Sequence, residues 1–164
     1  SSGVFPCKQT PLWLRLACAM IRFFSLVLIA ACLSSCSMTF HKEWRTALKN
    51  GAKAGVEGAW QGTWKSDVNG HHGRLRAVVG PVKNAEGDHD FRYHATWAGI
   101  FSGSYLTEHR VKVGKDRHTF TGTHQMPDWA GGTYTYAGTV KGDEFSACYQ
   151  CAKDKGTFQM RRVR

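Results

Sequence analysis

The sequence predicts an all-β protein, an antiparallel up-and-down meander of about eight strands that follows an N-terminal signal helix and one short helix. Three observations lead to this fold class. From residue 58 onward, apolar and polar residues alternate in short segments, which is typical of strands that bury one face. Turn signals separate these segments, and Asn69-Gly70 is the strongest hairpin signal. No long helical segment lies between them, so a closed barrel or a sandwich is favoured over a parallel sheet.

The strand-like segments follow one another along the C-terminal part of the chain, and short turns connect most of them. A longer loop, Met126–Gly132, precedes the sixth segment. Closure of such a sheet into a barrel removes the edges that it would otherwise expose. In chain order the segments are Trp60–Trp64, Arg74–Lys83, Phe91–Trp97, Tyr105–Val113, His118–Gln125, Thr133–Val140, Phe145–Tyr149 and Phe158–Arg162.

One helix is expected between the leader and the strands, from residue 39 to about residue 54. Phe40, Trp44 and Leu48 recur at the spacing of one helix face, while the lysines point elsewhere. Two interpretations stay open. The helix lies on a membrane surface with its basic face on anionic headgroups, or the face of Phe40 and Trp44 closes one end of the β structure.

The segment from Met20 to Cys36 has the layout of a secretory signal, with one basic residue, an apolar run and small residues that lead to a cysteine. Its end, Leu33-Ser34-Ser35-Cys36, resembles a bacterial lipobox. The resemblance implies that the Cys36 thiol carries acyl chains such as palmitate and becomes the mature N-terminus. Cys32 also ends a lipobox-like sequence and is the alternative. Cys36 is preferred because cleavage before Cys36 leaves a longer apolar run in the signal peptide than cleavage before Cys32 does.

A transmembrane anchor over residues 12–33 is the competing interpretation of this segment. A span needs about 20 apolar residues, so the length is sufficient. Arg15 and Arg22 lie inside it, however, and an arginine at the centre of a span costs about 2.5–3.5 kcal/mol. We therefore expect a lipid-anchored protein of the bacterial cell envelope. By resemblance to the usual lipoprotein sorting rule, Ser37 implies the outer membrane.

The chain divides into upstream residues and signal peptide at 1–35, an anchor-proximal linker with a short amphipathic helix at 36–57, and the β-barrel domain at 58–164. After Cys36, 19 basic residues stand against 12 acidic residues, a net charge of +7. Such a charge favours anionic partners, among them lipid headgroups and acidic glycans. Nucleic acid is not an expected partner, because the protein is exported.

Cys148 and Cys151 are the two cysteines that remain beyond the leader and the lipidation site. Thioredoxin-like redox sites share their spacing but place it at the start of a helix in an α/β fold. Ala152 stands where covalent haem attachment needs a histidine, and a four-thiolate zinc site needs a second cysteine pair. We expect a local disulfide that tightens a turn in an oxidising compartment, and no cofactor.

Two sets of residues resemble known proteins. Gly62-Thr63-Trp64 on the first predicted strand and Arg161-Arg162 on the last resemble the calycins, which include lipocalins, fatty-acid-binding proteins and avidins. In calycins a Gly-x-Trp of the first strand lies beneath a basic residue of the last strand. Packing and a cation–π contact there close one end of the barrel. The resemblance implies a closed calycin-like barrel.

A second resemblance covers most of residues 58–163. Trp60-x-Gly-x-Trp64, Gly70-His71-x-Gly73-x-Leu75 and Asp154-x-Gly156-x-Phe158 are similar to an uncharacterised family of small exported bacterial proteins. This resemblance implies a common fold and no particular activity.

A barrel of about eight strands is either filled by side chains or holds one small ligand. The function expected first is non-catalytic binding of a small apolar or amphiphilic molecule inside the barrel. The alternative is an interaction protein that contacts anionic envelope polymers or lipids and encloses no ligand. Trp129, in the glycine-rich loop, would gate the mouth of the barrel or stack on a sugar. The expected binding residues are Trp64, Tyr93, Trp97, Trp129 and Tyr136.

No catalytic residue and no metal site is expected. His71 and His72 share a turn with Asp67 and Asn69, the most polar cluster of the sequence. A metal ion there would need a third ligand from another loop. No serine or cysteine nucleophile is paired with either histidine by spacing. We interpret both histidines as exposed turn residues and expect that the protein is not an enzyme.

Overall fold

The structure is a computed structural model that describes residues 38–99 and 101–164. The expected signal segment and both expected lipidation sites, Cys32 and Cys36, lie outside the described residues. An α-helix, α1, covers residues 38–50. The strands are β1 Gly58–Ser66, β2 His72–Val82, β3 Asp88–Trp97, β4 Phe101–Lys112, β5 His118–Gln125, β6 Thr133–Lys141, β7 Glu144–Gln150 and β8 Lys155–Arg162.

The strands form a closed barrel in which each strand pairs antiparallel with its neighbours in sequence. β1 completes the circle by pairing with β8, from Trp60 opposite Arg162 to Ser66 opposite Gly156. The prediction of an antiparallel all-β meander is confirmed, and of the two architectures left open the barrel is the one formed. We call the end formed by the turns after β1, β3, β5 and β7 the mouth, and the opposite end the base.

Large aromatic side chains fill the interior of the barrel. Trp60, Phe91, Tyr93, Phe120 and Phe145 are fully buried. Their rings contact one another, with centroids 5.1 Å apart for Phe91 and Phe120 and 5.0 Å apart for Phe120 and Phe145. Each such contact contributes about 0.5–1.5 kcal/mol beyond the burial of apolar area. The interior between the base and the centre of the barrel is therefore a packed core.

Arg162 closes the base. Its guanidinium lies over the ring of Trp60, 4.1 Å from the centroid. It donates hydrogen bonds to the carbonyl oxygens of Gly55 at 2.5 Å and Glu57 at 2.6 Å, and it pairs with Asp143 at 3.2 Å. Only 4% of the Arg162 side chain is exposed. The last strand is thereby tied to the segment that enters the first strand.

The tryptophan beneath this arginine is Trp60, whereas the calycin resemblance pointed to Trp64. The register of β1 against β8 places Trp60 opposite Arg162 and Trp64 opposite Phe158. Trp64 follows Trp60 by four residues along β1, so it lies about 13 Å closer to the mouth than Trp60 does. There its indole nitrogen donates to the carbonyl oxygen of Thr96 at 3.0 Å.

Helix α1 packs on the outer side wall of the barrel. Phe40 and Trp44 are both buried in this contact. Phe40 stacks on His94 of β3 with 4.7 Å between centroids, and the Arg76 guanidinium of β2 lies over Trp44 at 5.2 Å. The helix covers the side wall rather than an end, because Val78 offers apolar surface on this wall and Arg162 already closes the base.

The helix ends at residue 50 rather than near residue 54. Gly51 adopts a left-handed backbone conformation with φ of 71°, and its amide donates to the carbonyl oxygen of Leu48 at 3.2 Å. Glycine reaches this conformation without the steric cost of a Cβ atom, so it commonly ends helices.

His109 is a buried histidine at the centre of the barrel. Its ring contacts the rings of Phe91 and Phe120, with centroids 4.6 Å and 5.4 Å away. Burial lowers the pKa of His109 from 6.5 to about 4, because apolar surroundings disfavour the charged ring. Gly122 of β5 leaves the space for the ring, since a Cβ atom there would lie 2.0 Å from His109 Nδ1.

The first prediction concerns the base. Arg162→Met should lower the free energy of unfolding by about 3 kcal/mol, because two carbonyl oxygens and the Trp60 ring lose their cation. Chemical denaturation followed by circular dichroism measures the loss. Arg161→Met on the same strand is the control: its exposed side chain pairs with Glu144 at 3.6 Å, and the change should stay below about 0.5 kcal/mol. Equal losses would contradict the closing role of Arg162.

The second prediction concerns acid stability. The folded protein keeps His109 neutral until the pH approaches 4, whereas the unfolded chain binds a proton near pH 6.5. The free energy of unfolding should therefore be highest above pH 6.5 and fall between pH 6.5 and 4, by about 3 kcal/mol for this residue. His94 and His124, whose pKa values burial also lowers, add to the fall.

Denaturation curves at several pH values separate these histidines. His109→Leu should show a shallower fall of the free energy of unfolding over this pH window than the wild type. His71→Leu, which removes an exposed histidine, should keep the wild-type slope. Parallel curves for the wild type and His109→Leu would refute the assignment to His109.

Candidate functional site

The mouth of the barrel presents three exposed aromatic side chains. Trp97 is 42% exposed, Phe101 54% and Trp129 82%. Trp97 and Phe101 are directly paired across the β3–β4 hairpin, and their rings stack with centroids 6.1 Å apart. We call these three side chains the aromatic rim. Exposed aromatic groups collected at one end of a barrel are typical of a binding surface.

Trp129 lies on a short 3-10 helix, Asp128–Ala130, in the loop between β5 and β6. Contacts of the backbone hold this loop in place. The Lys153 ammonium donates to the carbonyl oxygens of Asp128 at 2.9 Å and Trp129 at 3.4 Å. The Tyr134 hydroxyl donates to the carbonyl oxygen of Ala130 at 3.0 Å. The loop is therefore anchored through its main chain, which leaves the Trp129 indole exposed.

The part of the core nearest the aromatic rim is a layer of tyrosines, which includes Tyr93. Ring centroids are 5.3 Å apart for Tyr93 and Tyr105, 6.3 Å for Tyr134 and Tyr136, and 6.1 Å for Tyr134 and Tyr149. Burial raises the pKa of Tyr136 to about 12, so its hydroxyl stays protonated at neutral pH. This layer fills the upper part of the barrel with neutral, polar-tipped rings.

The wall of the barrel is incomplete on one side of the mouth. β4 and β5 pair from Lys112 opposite Thr119 to His109 opposite Gly122, and the ladder does not continue toward the mouth. Beyond this point Tyr105 and His124 face each other with ring centroids 5.4 Å apart. The rings thus take the place of backbone pairing at this seam. Burial lowers the pKa of His124, which favours its neutral form.

A cleft of about 440 Å³ lies beside the aromatic rim, between the turns after β1 and β3. His71, His72 and Arg74 line one side of it, and Thr96 and Trp97 line the other. The Arg74 side chain is exposed, and its guanidinium has no ion pair within the described part of the chain. Arg74 and Trp97 line the same cleft, and a guanidinium together with an aromatic ring suits a ligand that has a ring and an anionic substituent.

The structure separates the five expected binding residues into two groups. Trp97 and Trp129 lie on the exposed rim. Tyr93 and Tyr136 are buried in the core, and the indole of Trp64 is packed against the core with its nitrogen bonded to Thr96. The five positions therefore share the half of the barrel near the mouth, but two of them present a surface to a ligand.

Phe101 belongs to the aromatic rim and is missing from the sequence-based set. Residues 99–103 look like a loop because Gly99 and Gly103 flank the segment. In the structure the turn is tighter, with Ala98 and Gly99 at φ of 50° and 75°. β4 therefore begins at Phe101, directly opposite Trp97. The aromatic residue just after the turn was the available signal.

Cys148 and Cys151 are free thiols in the structure, and the expected disulfide between them stays a prediction. Cys148 lies on β7 with its side chain exposed on the outside of the barrel. Cys151 lies in the following turn, where its Sγ atom accepts hydrogen bonds from the amides of Lys153 at 3.4 Å and Asp154 at 3.2 Å. The strand directs one thiol outward, while the turn directs the other toward its own backbone.

Two further findings bear on the chemistry of the chain. Within residues 38–99 and 101–164, no group of three or more histidine, cysteine or acidic side chains is placed to hold a metal ion. Among the same residues, no helix is both long and apolar enough to cross a membrane. His71 is exposed in the turn after β1, and His72 is exposed at the start of β2.

The chain matches no protein-family model, and no curated protein sequence is significantly similar to it.

Proposed function

We propose that this protein is a non-catalytic binding protein of the bacterial cell envelope, and that its aromatic rim binds an acidic saccharide outside the barrel. The exposure of Trp97, Phe101 and Trp129 at one end of a filled barrel is the observation that carries this proposal. Contiguous exposed apolar surface commonly marks an interaction site, and the stacked Trp97 and Phe101 rings provide two adjacent aromatic groups.

The packed interior argues for binding outside the barrel. A ligand enclosed in the barrel would have to displace buried rings such as Phe91, Tyr93 and Phe120. Truncating a buried phenylalanine costs about 3–5 kcal/mol, so a core of this kind does not open cheaply. We therefore favour binding of anionic envelope polymers on the outside of the barrel over binding of an apolar ligand inside it.

The chemistry of the rim fits a saccharide with negative charge. The flat faces of indole and phenyl rings stack on the C–H face of a sugar ring. Arg74 lies beside Trp97 in the rim cleft, where its planar guanidinium can bind a carboxylate or phosphate through two hydrogen bonds. The surplus of basic residues draws polyanions to the protein over a longer range.

The proposed location follows from the leader sequence. Secretion and acylation at Cys36, or at Cys32, would keep the protein on a membrane, by the sorting rule the outer membrane, where it meets envelope glycans. The resemblance of its sequence motifs to small exported bacterial proteins supports this location. The lipid anchor and the rim are independent parts of the proposal, since one determines the location and the other the ligand.

The third prediction tests the anchor. The intact mass of the protein from native membranes should equal the chain from Cys36 with two or three acyl chains attached. Cleavage before Cys32 would give a heavier chain with the same acyl increment. An unmodified chain that retains the leader would overturn the proposed location and leave the rim untested by this experiment alone.

The fourth prediction tests the rim with a galacturonate tetrasaccharide as the acidic probe. Isothermal titration calorimetry should show binding that weakens as salt rises from 50 to 300 mM, because the ionic part is screened. Trp97→Ala with Phe101→Ala, and separately Trp129→Ala, should weaken binding about tenfold or more. Arg74→Ala should weaken binding of this probe but not of a neutral glucose tetrasaccharide.

Val113→Ala is the matched control, because Val113 is an apolar residue at the base that is as exposed as Trp129. Its affinity for the acidic probe should equal that of the wild type. Rim variants that bind the probe as tightly as the Val113→Ala variant would refute the proposed site. Binding that no rim substitution changes but salt abolishes would indicate diffuse charge attraction instead.

A further inference from the structure

A groove of about 650 Å³ lies on the outer wall of the barrel, across β7, β8, β1 and β2. The volume falls within the range of ligand sites, about 300–1,000 Å³. Arg74 lines both this groove and the rim cleft, so the two are adjacent. β2 runs from the mouth toward the base, and Arg76 therefore lies farther from the rim than Arg74 does. We call this surface the wall groove.

The wall groove carries a surplus of positive charge. Three arginines line it, Arg74, Arg76 and Arg161. Among the described residues of the lining, Glu144 is the single acidic one, so a net charge of +2 remains. Glu144 lies 3.6 Å from Arg161, and both side chains are more than two-thirds exposed, so this ion pair is weak. Neither Arg74 nor Arg76 forms an ion pair with a described residue.

The register of the sheet spreads these cations over the groove. Gln61 of β1 lies opposite Arg76 of β2 on one side and opposite Arg161 of β8 on the other. Two strand spacings, about 10 Å, therefore separate the Cα atoms of Arg76 and Arg161. Arg74 and Arg76 are two residues apart on one strand, so their side chains leave the same face about 7 Å apart. Cations separated in this way suit successive charges of one extended chain.

Neutral donors and a fixed cation complete the groove. The Arg76 guanidinium lies over the Trp44 ring, 5.2 Å from the centroid, which leaves the N–H groups at its edge free to donate. Ser146 donates to the Oε1 atom of Gln159 at 2.8 Å, so the amide nitrogen of Gln159 can donate to a ligand. Gln61 is exposed between two arginines. Amide groups among cations suit hydroxyl groups among carboxylates.

We infer that the wall groove binds the acidic saccharide where it leaves the aromatic rim, so that the ligand is a linear polyanion rather than a short end group. Arg74 holds the carboxylate at the junction, and Arg76 and Arg161 hold carboxylates farther along the chain. A concave groove admits one extended chain more readily than a flat anionic membrane surface. This inference rests on the proposed function of the rim and extends the ligand beyond it.

The fifth prediction compares a galacturonate disaccharide with a galacturonate octasaccharide, each titrated into the full chain by calorimetry at 50 mM salt. Arg76→Gln and Arg161→Gln should each weaken octasaccharide binding about three- to fivefold, the effect of losing an exposed ion pair. Gln61→Glu should weaken it at least as much, because the new carboxylate lies between both arginines. Disaccharide binding should stay unchanged in all three variants, because a disaccharide occupies the rim cleft alone.

Arg117→Gln is the matched control. It removes an exposed arginine from the turn between β4 and β5, and it lowers the net charge by one, as each groove variant does. It should bind the octasaccharide like the wild type. Because Arg76→Gln also removes the contact with Trp44, circular dichroism checks its fold. Gln61→Glu tests the same row of side chains at an exposed position that does not touch α1.

The outcomes separate the wall groove from the rim. Groove variants that bind the octasaccharide as Arg117→Gln does would overturn the inference, while Trp97→Ala with Phe101→Ala could still weaken both oligosaccharides and support the rim. Octasaccharide binding that no rim substitution changes would refute the rim and, with it, the continuous chain. Phosphatidylglycerol vesicles are the last probe: groove variants that weaken vesicle binding alone would make this face a membrane contact and the inference wrong.

Discussion

The contact of Arg162 with Trp60 joins the first and last strands at the base of the barrel and sets the geometry of everything above it. Arg162 lies at the base of the β1–β8 pairing, with its guanidinium over Trp60. It also donates hydrogen bonds to the carbonyl oxygens of Gly55 and Glu57, in the segment between α1 and β1. Because a closed sheet has one register, this contact also determines where the other β1 side chains lie. Trp64 is consequently carried to the half near the mouth, where it bonds to Thr96.

Filling the interior with aromatic rings determines where binding can take place. Phe91, Phe120 and Phe145 pack together in the half of the barrel near the base, and a layer of tyrosines occupies the half near the mouth. The surface with binding chemistry then lies outside the barrel, at the aromatic rim, where exposed rings share a cleft with Arg74.

The sequence predicted which aromatic residues lie near the mouth better than it predicted which of them are exposed. The sequence placed Trp97 on a strand and Trp129 in a loop, and both lie on the rim. Tyr93 and Tyr136 show the same alternation as Trp97, yet they are buried. Periodicity identifies the inward face of a strand, but distance from the barrel end decides whether an inward side chain reaches solvent. Phe101 was missed because the length of its turn was overestimated.

The sequence by itself determined the strands, their antiparallel order and the helix before them, because alternation, turn residues and helical spacing are local properties of the chain. The tertiary structure alone decided that Trp60 meets Arg162, that α1 covers the side wall, that the Cys148 side chain is exposed on the outside of the barrel, and that buried rings fill the barrel. Each of these depends on register and closure, which arise from contacts between residues far apart in sequence. Short-range patterns do not carry that information.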